Sequence, residues 1–120
     1  MAQFRHFSIE IEKGVTVVRL QDPRLADTLL VSELEDELLR LIDTESPEKL
    51  LVDFEAVDHC STAVINGLLR AKKRLVRTHG QIGLCSMHSA IREAYRVLNL
   101  DGTVFKIYDN TTRGITALNL

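Results

Sequence analysis

Two short apolar runs, KLLVDF at 49–54 and QIGLCS at 81–86, constrain this chain more than any other feature. Each is nearly continuous, as expected of an interior strand covered on both faces. Between them Val64, Ile65, Leu68, Leu69, Leu75 and Val76 mark one stripe at helical spacing, and Gly80 stands where such a helix would close. Strand, helix, strand in that order is a crossover between parallel neighbours. The fold class this predicts is α/β.

The flanking segments extend the pattern. Phe7, Ile9 and Ile11 alternate with Ser8, Glu10 and Glu12, and Gly14 then turns the chain into VTVVRL, so residues 7–20 read as an antiparallel hairpin with one face exposed. Over 30–42 the positions Leu34, Leu38, Leu39 and Ile42 recur at helical spacing, and Ser32 with Glu35 has the form of a capping box. SAIREAYRVLNL reads as a further helix, TVFKIYD as a last strand and TRGITALNL as a final helix. The order ββαβαβαβα predicts a mixed central β-sheet with interior strands over 50–54 and 82–85, helices mainly on one face, and the opposing face partly open. With 120 residues, 45% of them hydrophobic, and two prolines, the chain fits one domain over 1–120. A formal net charge of -2 lacks the basic excess that drives nucleic-acid binding. No apolar run approaches the ~20 residues of a membrane span, and the charged, alternating N-terminus lacks a secretory apolar region, so the cytoplasm is the expected location.

The stretch VDHCSTAVINGLLRAKKRL, residues 57–75, falls just past the C-terminal end of an interior strand and at the start of the next helix. In open α/β sheets sites collect there, and a helix N-terminus offers free N–H groups and a partial positive charge. Ser61 suits the N-cap, which leaves Thr62 at the first helical position with its hydroxyl toward solvent. A metal or thiol site on His59, Cys60, Cys85 and His88 is the competing reading, since neighbouring parallel strands bring both pairs to one end of the sheet. Adjacent residues on a strand point to opposite faces, however, which separates His59 from Cys60. In a reducing compartment the two cysteines are expected to be buried thiols. Arg70, Lys72, Lys73, Arg74 and Arg77 wrap most of the helix circumference and read as a solvated face. No phosphate-binding glycine loop, paired-histidine helix or nucleophile elbow is present, Asp22, Asp27, Asp53 and Asp58 cannot be paired by spacing alone, and no cofactor or metal is expected.

LLVDFEAVDHCSTAVINGLLRAKKRL resembles the central signature of STAS domains, the modules of bacterial anti-sigma factor antagonists, stressosome proteins and sulfate transporter tails. The resemblance takes in the opening hairpin, the helix beginning near Leu30, the strand ending in Asp53 and Phe54, the connector with Val57, and IGLCSMHSAIREAYRVLNL. In the family the connector ends in an acidic residue, then a serine or threonine that a partner kinase phosphorylates, then a small residue and a glycine-containing helix start. Counted from Asp53, Thr62 lies at the phosphorylatable position, with Ser61 as second choice. Ser61 itself fills the acidic position, and Val64 and Asn66 stand where the family often has glycines. What the resemblance implies is a non-enzymatic protein-binding module, an anti-sigma factor antagonist that binds an anti-sigma factor with serine kinase activity through Asp58, His59, Ser61, Thr62 and Asn66. A non-phosphorylated scaffold or adaptor is the alternative, and the oligomeric state is expected to be a monomer or weak dimer.

Overall fold

The computed structural model describes residues 4–120. Strands β1 (Phe7–Glu12) and β2 (Val15–Leu20) form the expected hairpin. Lys13 and Gly14, at φ 51° and 78°, make the type I′ turn whose twist matches that of the strands it joins. A two-residue strand β3 (Arg24–Leu25) follows, then helix α1 (Thr28–Glu45). Asp27 caps α1 by accepting the N–H of Leu30 at 3.0 Å, so Ser32 and Glu35 lie inside the helix and form no capping box. Glu35 instead receives the guanidinium of Arg70 at 2.6 Å, joining α1 to the second long helix.

Beyond α1 come β4 (Lys49–Asp53), the short β5 (His59–Cys60), α2 (Thr62–Val76), β6 (Gln81–Cys85), α3 (Ser89–Val97), β7 (Lys106–Tyr108) and α4 (Thr111–Leu118). The main sheet has the order β1-β2-β4-β6-β7, parallel except for the hairpin pair, and both expected interior strands are inside it. β3 and β5 form a separate parallel pair that the apolar pattern did not announce.

The larger core layer sets Val18, Leu50, Val52 and Leu84 of the sheet against Leu34, Leu38 and Leu41 of α1 and Leu68 and Leu75 of α2. On the opposing face, expected to be partly open, α4 lays Ile115 and Leu118 over Val15, Val17, Leu51 and Cys85. Gly114 makes this approach feasible, because a Cβ there would sit 2.7 Å from Leu51 Cδ1. The face stays open only over β1, where Ser8, Glu10 and Glu12 are exposed.

Several helix expectations need correction. On α2, Val64, Ile65, Leu68 and Leu75 are buried, but Leu69 is half-buried and Val76 is 59% exposed, since the packed stripe ends at Leu75. The turn after α2 is closed by His79 in the left-handed region at φ 61°, with Gly80 donating its N–H to Leu75 O. Gly80 serves close approach, as a Cβ there would lie 2.8 Å from Pro47 O. The basic row of α2 is only partly solvated. Arg70 and Arg74 pair with Glu35 and Asp43 on α1, and Lys72 reaches Val104 O across the ring of Phe105. Lys73 and Arg77 do remain in water. The helix expected over 89–100 ends at Val97, and left-handed Asn99 lets Leu100 return its N–H to Tyr95 O.

Candidate functional site

The connector from β4 to α2 is held at almost every backbone donor. Asp53, 3% exposed at the end of β4, receives Arg19 Nη1 at 2.7 Å on one oxygen and the N–H of Glu55 at 3.0 Å on the other. Phe54 donates its N–H to Cys85 O, and Val57, fully buried, donates to Phe54 O. Pro23 O accepts from both Asp58 N and His59 N, at 2.7 and 3.1 Å. β5 then pairs with β3, and Ser61 donates its N–H to Leu25 O at 2.8 Å before α2 begins. Burial of backbone donors demands such partners, and here they fix the path of the chain into Thr62.

His88 completes the arrangement from the start of α3. Its Nε2 lies 3.0 Å from Glu55 O and 3.7 Å from Asp58 Oδ1. Sequence reasoning weighed His88 only as a metal ligand, and missed Arg19 and Pro23 altogether. Arg19 was hidden among the alternating residues of a hairpin strand, and Pro23 acts through a carbonyl that no side-chain pattern reveals.

The residues singled out from the sequence do share one rim. Asp58, His59, Thr62 and Asn66 are exposed, and Ser61 is half-buried among them. Asn66 stands one helical turn beyond Thr62 and so shares its face. Ser61 has the extended N-cap backbone, φ -75° and ψ 159°, but its side chain makes no capping hydrogen bond, contrary to the role expected for it. No acidic residue occupies the first turn of α2, which leaves its N-terminal partial charge unneutralised beside the Thr62 hydroxyl.

The competing cluster does not assemble. Cys60 packs against the α1 and α2 layer, whereas Cys85 belongs to the α4 layer on the other side of the sheet. Among the described residues no group of three or more His, Cys, Asp or Glu is placed to hold a metal ion. Burial pushes the thiols up, Cys60 to about 11 and Cys85 to about 12, so both are protonated and poorly nucleophilic near neutrality. No helix among the described residues is long and apolar enough to cross a membrane.

Comparison with known structures finds the same architecture repeatedly. An anti-sigma-factor antagonist (STAS) domain protein from Planctomyces limnophilus superposes with a TM-score of 0.85 at 25% identity, covering 95% of this chain and 98% of its own. An anti-sigma factor antagonist from Mycobacterium paratuberculosis gives 0.82 at 23% identity, covering 95% and 93%. The Bacillus cell fate determinant SpoIIAA in its phosphorylated form gives 0.69 at 16% identity, covering 93% and 98%. Comparison with curated protein sequences finds no match. The STAS domain model matches residues 6–113, nearly the whole of the described fold, and the chain therefore belongs to the STAS domain family.

Proposed function

We propose that this domain is an anti-sigma factor antagonist, binding an anti-sigma factor with serine kinase activity through the rim around Thr62 and released when that kinase phosphorylates Thr62. The observation that carries the reading is the contrast between neighbouring hydroxyls. Thr62 is exposed at the first position of α2, at the end of a connector held rigid from Asp53 to Ser61, while Ser61 is half-buried with its backbone committed to β3. A kinase needs an accessible hydroxyl on a defined path, and Thr62 meets that need better than Ser61. Asp58, His59, Ser61 and Asn66 complete the contact surface. Structural relatives that are anti-sigma factor antagonists, one of them a phosphorylated form, support the same reading. Use of ATP by the partner would set the exchange in the cytoplasm, with transcription as its output.

Intact mass and peptide mapping after incubation with the cognate kinase test the proposal. One phosphate on Thr62, lost in Thr62→Ala and kept in Ser61→Ala, is the expected result. Phosphate on Ser61, or none, overturns it. A second reading, a non-phosphorylated scaffold or adaptor, is favoured by Ser61 at the position where the family signature has an acid, and it predicts partner binding with no mass change.

A further inference from the structure

Residues 21–25, which carry the chain from β2 into β3, link two parts of the fold that are distant in sequence. On one side they support the connector, since Pro23 O takes the N–H groups of Asp58 and His59, and Leu25 O takes that of Ser61. On the other side they are tied to His6, whose carbonyl accepts the N–H of Gln21 at 3.0 Å and whose Nδ1 lies 2.8 Å from Asp22 Oδ2. The other ring nitrogen, Nε2, lies 3.0 Å from Glu33 Oε2 in the second turn of α1. A path of hydrogen bonds thus runs from α1, through a buried imidazole and residues 21–25, to the residues that precede Thr62.

The ring faces two carboxylates, and only an imidazolium has two N–H groups to offer them. Glu37 of α1 adds a third acidic group, accepting the backbone N–H groups of Arg5 and His6, while Arg5 supplies a basic one 3.7 Å from Glu33. Burial opposes the charge on the ring, but the hydrogen bonds to Glu33 and Asp22 and the charges of Asp22 and Glu37 prevail, and the pKa lies above 6.5. Loss of the proton leaves one N–H for two carboxylates, and the bare nitrogen then turns a lone pair toward an oxygen at hydrogen-bond distance. Glu33 still has Arg5 beside it, whereas Asp22 has no second basic partner among the described residues. The tie that yields is therefore the one to residues 21–25.

We propose that His6 is a positioning residue for the Thr62 rim: its imidazolium ties residues 21–25 to α1, and discharge of the ring loosens those residues together with the connector that bonds to their carbonyls. The hold is complete below the unfolded pKa and fades as the pH rises through the higher folded one. Gln21 keeps its backbone bond to His6, and β3 keeps its pairing with β5, so the change is in how often this region opens locally and not in its path. That a well-held connector matters to a kinase rests on the function proposed above for Thr62, but the tie itself does not.

Amide hydrogen exchange of the full chain at pH 6 and pH 9, corrected for the intrinsic effect of pH on exchange, tests the proposal without any kinase. In the unsubstituted chain the protection of the Asp58, His59 and Ser61 amides should fall about fivefold or more between the two, the equilibrium effect of one ordinary hydrogen bond. Gly114, whose N–H bonds to Asn110 O in α4 on the opposite face of the sheet, should keep its protection. Asp22→Asn supplies an amide that accepts from the charged ring and donates to the neutral one, so its connector should stay protected at pH 9. His6→Gln should leave the connector poorly protected at both pH values, and the other two proteins decide the matter if it folds poorly. Connector protection that does not change with pH, an equal fall at Gly114, or a fall in Asp22→Asn as large as in the unsubstituted chain each overturns it. If the exchange pattern holds while kinase treatment leaves Thr62 unmodified, the function proposed for the rim fails and the role of His6 in holding the connector stands.

Discussion

His6 offers the sharpest test of the electrostatics of this fold. It sits just before β1, 8% exposed, with Nδ1 2.8 Å from Asp22 Oδ2 in the β2–β3 loop and Nε2 3.0 Å from Glu33 Oε2 on α1. Both partners are carboxylates, so the imidazole satisfies them fully only when both ring nitrogens carry protons. Other charges face it as well. Glu37 on α1 accepts the N–H groups of Arg5 and His6, and Arg5 lies 3.7 Å from Glu33. Burial alone would pull the His6 pKa down, but the hydrogen bonds from Glu33 and Asp22 and the charges of Asp22 and Glu37 outweigh it, and the value is raised above 6.5. A raised folded-state value means that the stabilisation is complete below the unfolded pKa and is lost as the pH rises through the folded one. Two charge-assisted hydrogen bonds contribute up to ~1.5–3 kcal/mol each. Asp22 and Glu33 are 29% and 34% exposed and regain water when the ring is removed, which favours the low end. Replacing His6 by Gln is therefore expected to cost about 2–3 kcal/mol at pH 6 and less at pH 9. Urea unfolding of both proteins at the two pH values measures it. A gap that is the same at both, or below ~0.5 kcal/mol at pH 6, would refute the reasoning.

Leu68→Ala should cost about 2–5 kcal/mol in denaturant titration through lost transfer energy and a residual cavity, whereas Lys73→Ala should change stability by no more than ~0.5 kcal/mol; equal costs would mean the buried face of α2 is wrongly assigned. Because the Ser61 side chain makes no capping bond, Ser61→Ala should shift stability by less than ~0.5 kcal/mol, below the ~1 kcal/mol of a working cap, and a full cap-sized loss would contradict the observed geometry. Thr62→Glu should weaken partner binding by at least ~1.4 kcal/mol, a tenfold change readable by calorimetry, with Thr62→Ala still bound; equal affinity for both variants would remove the charge-based switch.

The parts of this fold that the sequence made legible are those whose side chains repeat with a period. The interior strands over 50–54 and 82–85 are covered on both faces of the sheet, and the hairpin was legible from its alternation although, contrary to the single exposed face expected, β1 meets water on both sides beyond Phe7, with Ile11 72% exposed. Elements fixed by distant backbone left no periodic trace. β3 and β5 are two residues each and exist because the loop after Asp22 and the connector after Phe54 run side by side, a juxtaposition that only the assembled sheet creates. The start of α1 was misplaced because Ser32 and Glu35 fit the local capping pattern while Asp27, three residues before Leu30, fits the N-terminal geometry. At the rim, residue types placed Thr62 and Asp58 together, yet nothing in the spacing revealed that Pro23 and His88 hold the connector between them.

That bracing bears directly on how a switch could act here. A phosphate on Thr62 would bring about -1.5 to -2 charges to the exposed start of α2. Its effect on folding should be small, since the N-terminal partial charge of α2 favours an anion and no acidic side chain in the first turn opposes it. Nor can the connector yield readily, because the N–H groups of Asp58, His59 and Ser61 are engaged by Pro23 and Leu25, and His88 contacts Glu55 O. With the backbone held, the added charge is expressed at the surface beside Asp58, where it repels an acidic partner surface. Measuring the Thr62→Glu protein should accordingly show a weakened affinity with an unchanged urea midpoint, and a loss that shrinks as added salt screens the repulsion. A variant whose affinity and midpoint fell together would show instead that the rim rearranges, and that the connector is not the rigid support its hydrogen bonds make it.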